Sequence, residues 1–96
     1  MGVVASVALD IGAGRGALVI YPSERHRGTE IEISLADGTG RRVHTGVHDR
    51  STAAGSRLTA IFGSLPEGDY VVWADATTAR TTVCVSEAAV TELFLI

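Results

Sequence analysis

Along nearly the whole of this 96-residue chain, apolar side chains recur at every second position, and Gly, Pro or Asp-Gly interruptions break the pattern at short intervals. A period of two suits extended strands that bury one face, whereas an amphipathic helix would repeat every 3.6 residues. No segment shows the helical period. The alternation predicts strands at about Val3–Asp10, Ala17–Tyr21, Thr29–Leu35, Arg42–His48, Arg57–Ser64, Tyr70–Ala74, Arg80–Ser86 and Val90–Leu95. Between them, Pro22–Gly28, Asp37–Gly40, Ser51–Gly55, Pro66–Asp69 and the region near Glu87 carry turn residues. Many short strands with regular turns imply an all-β, immunoglobulin-like antiparallel sandwich of two sheets, with seven or eight strands in a single domain over residues 1–96. The length suits one core and is too short for the helix–sheet–helix layering of most cofactor enzymes.

One hairpin can be read residue by residue. Ile31, Ile33 and Leu35 alternate with Glu30, Glu32 and Ser34, and Val43, Thr45 and Val47 alternate with Arg42, His44 and His48. Inner residues must face inner residues, so a short loop around Gly38–Gly40 pairs Leu35 with Val43 and Ile31 with Val47. On the outer face, Glu30 then stands opposite His48, Ser34 opposite His44 and Glu32 opposite Gly46.

Farther along, "LPEGDY" (Leu65–Tyr70) joins two alternating strands through a Pro-Glu-Gly turn. Together with "GALVI" (Gly16–Ile20), "GTEIEI" (Gly28–Ile33), "AIFGS" before that turn, "TVCV" (Thr82–Val85) and "VTEL" (Val90–Leu93), it resembles the carboxypeptidase regulatory-like and transthyretin-like sandwiches over residues 16–95. The charged Arg41–Gly55 stretch departs from the commoner form. The chain also resembles short uncharacterised actinobacterial proteins with GxEIEIS, RxHTxV and LPxGDY segments. The resemblance implies a fold and supplies no chemistry.

Composition narrows the function classes. A formal charge of −3 gives no electrostatic reason to expect nucleic-acid binding. All eight basic residues are Arg, a mark of a GC-rich bacterial genome. Residues 1–57 hold seven Arg against six acidic residues, while the remainder has Arg80 against Glu67, Asp69, Asp75, Glu87 and Glu92. Cys84 is the single cysteine, so no intrachain disulfide can form and the cytoplasm is the expected compartment. The run Val3–Leu9 has no basic flank and is stopped by Asp10, so it reads as neither signal peptide nor membrane span. Met1-Gly2 with Ser6 fits a myristoylation pattern, which a bacterial chain would not use.

The most motif-like stretch is Gly12-Ala13-Gly14-Arg15-Gly16-Ala17, which fits a dinucleotide or S-adenosylmethionine glycine loop. Such a loop works by opening a helix whose free amides meet the ligand. Here Ala17–Tyr21 is strand-forming and Pro22 follows, so a turn between strands is expected and no cofactor. His44, His48, His26 and Asp49 are candidate metal ligands by residue type, although four residues of strand put His44 and His48 about 13 Å apart. Ser34 opposite His44 would be the only nucleophile–base pair, on a flat face with no elbow or oxyanion donors. Cys84 alternates with Val83 and Val85 and reads as a small packing residue.

Four arginines, Arg25, Arg27, Arg41 and Arg42, would form an anion patch if their two loops met at one end of the sandwich. Trp73 alternates with Tyr70 and Val72 and is expected on the outer face, where Trp often anchors an interface. Leu93–Ile96 sends apolar side chains to both faces of its strand, which suits an oligomer contact through Phe94 and Ile96. The resulting expectation is a non-catalytic interaction module that associates with itself, with no nucleic-acid or membrane partner. The alternatives are a metal- or ligand-binding protein using the histidines and, third, a weak hydrolase.

Overall fold

A computed structural model describes residues 13–53 and 55–95; the strand expected at Val3–Asp10, the glycine at position 12 and the interface candidate Ile96 lie outside the described residues. The described chain is all-β. Its strands are β1 (Arg15–Tyr21), β2 (Glu30–Leu35), β3 (Val43–Gly46), β4 (His48–Thr52), β5 (Gly55–Pro66), β6 (Gly68–Trp73), β7 (Ala79–Val85) and β8 (Val90–Phe94). A single 3-10 turn, Glu24–His26, bridges β1 and β2. The first sheet has the order β4-β5-β1-β8 and the second β3-β2-β6-β7.

The alternating residues meet between the sheets. Leu18 and Ile20 from β1, Ile31 and Ile33 from β2, Leu58, Ala60, Phe62 and Leu65 from β5, and Tyr70 and Val72 from β6 are buried in one cluster with Val47, Val85 and Leu95. Removing these side chains from water is the main force holding the layers together. "LPEGDY" gains a physical reading. Leu65 is buried, Gly68 turns the chain at a φ of 147°, and the buried Tyr70 donates its hydroxyl to the Pro66 carbonyl at 2.5 Å, tying the turn to the core.

The described part of the glycine motif, from Ala13 onward, is a turn that runs into a strand. Gly14 has a φ of 73°, and the strand begins at the next residue, so no helix follows that could cradle a phosphate. Gly16 is required by close approach, since a Cβ there would collide with the Ser86 carbonyl oxygen.

Three expectations need correction. Most pairings are antiparallel, but β1 and β8 run parallel, with Ala17 beside Val90 and Tyr21 beside Phe94. The segment expected as one strand, Arg42–His48, divides at Val47. Val47 is buried and its N–H bonds to the Thr29 carbonyl at 3.0 Å, and beyond it the chain leaves the second sheet and enters the first as β4. Third, the β2–β3 register differs by two residues: Ile33 pairs with Val43, Glu32 with His44 and Glu30 with Gly46. The parity holds, but residues 36–42 form a longer loop, turned at Gly38 and Gly40 with φ of 81° and 75° and anchored by a 2.8 Å bond from the Ala36 N–H to the Asp69 carbonyl.

Candidate functional site

On the outer face of the first sheet, the period-two pattern brings Tyr21 of β1, Arg57 and Thr59 of β5 and Phe94 of β8 to one side. Tyr21 and Phe94 are Cα partners, and their rings stack with centroids 4.7 Å apart and planes 19° from parallel. The Arg57 guanidinium lies 4.5 Å from the centre of the tyrosine ring and 5.0 Å from that of the phenylalanine, a cation–π lid on the stack. Glu92, two residues before Phe94 and so on the same face, accepts a hydrogen bond from the Tyr21 hydroxyl. That bond, with burial and the carboxylate charge adding to it, raises the Tyr21 phenol above its ordinary pKa of 10, against an opposing pull from Arg57. Phe94 nevertheless remains 55% exposed. A large aromatic ring held in place and still wet is suited to a partner.

Beside this stack, Arg50 of β4 is the direct cross-strand partner of Arg57, and His48 is that of Thr59. Two like charges opposite one another repel, and Arg57 turns toward the aromatic rings. Arg50 and Arg57 did not stand out in the sequence, because their opposition exists only once β4 pairs with β5.

Trp73 is on the outer face of the second sheet, as its alternation requires, but it is half-buried and has partners. Its indole N–H donates to Ser34 Oγ at 2.9 Å, and Arg42 lies 3.7 Å above its ring. Arg42 also pairs with Glu32 at 3.1 Å and donates to the Ala76 carbonyl at 2.7 Å. Both side chains are thus engaged within the chain.

The other candidates separate. Arg25 and Arg27 precede β2 while Arg41 and Arg42 follow it, so the two pairs of loop arginines start from opposite ends of the sandwich and form no common patch. Arg27 is held by Glu24 at 2.7 Å and by Asp49; the guanidinium lowers the Glu24 carboxyl, and both carboxylates raise the guanidinium. His44 and His48 belong to different sheets; His44 approaches Glu30 at 3.9 Å, and His26 Nδ1 lies 3.2 Å from Ser23 Oγ. Among the described residues no group of three or more His, Cys, Asp or Glu side chains could hold a metal ion. Ser34 faces Val71 and its Oγ accepts from the Trp73 indole, and His44 pairs with Glu32, so the expected Ser34–His44 opposition is not formed. Cys84 points to solvent and packs against no core.

At the opposite end of the sandwich, Leu35, Ala36, Asp37, Glu67, Gly68 and Asp69 line an open depression of about 310 Å³. The Thr39 hydroxyl and amide both donate to Asp37, at 2.7 and 2.8 Å, and lower its carboxyl below the usual aspartate value. Comparison of the chain with protein-family models, with curated proteins and with solved structures gives no match.

Proposed function

We propose that this chain is a non-catalytic interaction module, an immunoglobulin-like sandwich of the carboxypeptidase regulatory and transthyretin kind, that acts by associating with further copies of itself. The observation that carries this reading is Phe94, a half-exposed aromatic already ordered by the Tyr21 stack and the Arg57 lid. Ordering an aromatic before contact lowers the entropy lost on binding, which is how a small anchor gains affinity. The separation of Ser34 from His44 removes the support for a hydrolase, and the separation of the histidines removes that for a metal protein. An exposed lone thiol at Cys84 suits a reducing compartment such as the bacterial cytoplasm. No described helix is long and apolar enough to cross a membrane.

Static light scattering over a concentration series tests the reading. The weight-average mass is expected to rise with concentration for the unaltered protein and to stay flat for Phe94→Ser. A mass that stays at the monomer value up to the highest concentration defeats it.

A further inference from the structure

Building on that self-association, we infer that the contact is head-to-tail: the Phe94–Arg57 projection of one copy enters the acidic depression of the next. The two surfaces carry opposite excesses of charge, and one offers an exposed ring where the other offers a depression. The projection is an exposed ring beside the Arg57 guanidinium, with Arg50 across the strand, and these two cations outnumber the Glu92 carboxylate, which is taken up by the Tyr21 hydroxyl. The depression has apolar Leu35 and Ala36 in its lining and carries the carboxylates of Asp37, Glu67 and Asp69. Arg15 is the cation of β1 paired across from Pro66 at that end, and its guanidinium is turned onto Ser64, at 2.6 Å to Oγ and 3.1 Å to the carbonyl. In the β2–β3 loop, Arg42 is turned away onto Glu32, the Ala76 carbonyl and the Trp73 ring and Arg41 is exposed, so the lining of the depression carries three carboxylates and no arginine.

Geometry prevents one copy from satisfying itself. Arg57 lies near the start of β5 and Glu67 just beyond its end. Ten residues of strand at about 3.3 Å each separate the two by roughly 30 Å. Different surfaces at opposite ends make a heterologous contact, which propagates into a ring or a filament. Exposed ion pairs contribute little individually, so the ring in the depression supplies the anchor and the charges set direction and salt dependence.

The test uses two variants of the 96-residue chain: Phe94→Ser, which loses the projection, and Ala36→Arg, which fills the depression and sets a guanidinium among its three carboxylates. Ala36 is exposed and contributes its backbone N–H to the fold, a bond the substitution keeps. Circular dichroism melting of both checks that they fold. In sedimentation velocity each variant alone is expected to be monomeric, while an equimolar mixture forms a one-to-one dimer that grows no further, because the intact projection of one fits the intact depression of the other. Raising the salt from about 0.05 to about 0.5 M is expected to weaken the mixed dimer several-fold. If Ala36→Arg assembles like the unaltered protein, or the mixture stays monomeric while the unaltered protein assembles, the head-to-tail contact is wrong and self-association stands. If the unaltered protein is itself monomeric, both fail.

Discussion

Thr59 sits on the outer face of its sheet, yet it is only 5% exposed, and its hydroxyl is buried with no hydrogen-bond partner. A buried hydroxyl that has given up water without a replacement costs free energy, and valine keeps the shape and β-branching while removing the polar atom. Thr59→Val is therefore expected to stabilise the fold by about 1 kcal/mol, read as a higher urea midpoint with an unchanged slope; a loss of stability would show that the hydroxyl does have a partner. Tyr21 offers a pH-dependent counterpart. Its phenol is raised in the folded chain, first by the bond to Glu92, so the folded state holds this proton more tightly than the unfolded state does. The associated stability is complete below the unfolded tyrosine value and is lost as pH rises through the folded one. Glu92→Gln is expected to lower the Tyr21 titration midpoint, followed by absorbance at alkaline pH; an unmoved midpoint would remove Glu92 as the cause.

At the scale of elements, the β2–β3 register can be tested covalently. Glu32 and His44 are Cα partners, within the spacing a disulfide spans, whereas Ser34 and His44 are offset by two residues. In a Cys84→Ser background, the pair Glu32→Cys with His44→Cys is expected to cross-link readily and the pair Ser34→Cys with His44→Cys poorly; the reverse order would restore the shorter loop. This hairpin also marks how far alternation can be read. Parity was legible, because an odd slip would expose Ile31 and Ile33. The length of the loop was not, since it depends on Ala36 bonding to Asp69, a residue of another strand. Strand β4 was hidden for a related reason: His48–Thr52 has no apolar alternation and is held as a strand by pairing with β5. The outward face of Trp73 could be read from its neighbours, but not its cover, because Arg42 reaches it only when the β2–β3 loop folds back. Phe94 was legible as an apolar residue on the wrong side of its strand. Arg57 was not, because its stacking joins three strands that are far apart in the chain.

For the whole molecule, the crossover at Val47 divides the histidines between two layers. Zinc, copper or nickel is accordingly expected to leave the melting temperature unmoved, and a rise abolished by His44→Ala or His48→Ala would contradict this. The parallel pairing of β1 with β8 has a mechanical consequence. The first and last described strands lie side by side and point the same way, with the Ala17–Val90 pair at one end of the ladder and Tyr21–Phe94 at the other. Tension applied before Arg15 and after Phe94 would pull the two strands lengthwise in opposite directions, loading every hydrogen bond between them together. Rupture under load is governed by the barrier to unfolding. Single-molecule stretching through those ends should therefore give one high-force event where strands peeled apart from one end would yield in small steps. A chain tethered at both ends by this pair would behave as a clasp under strain.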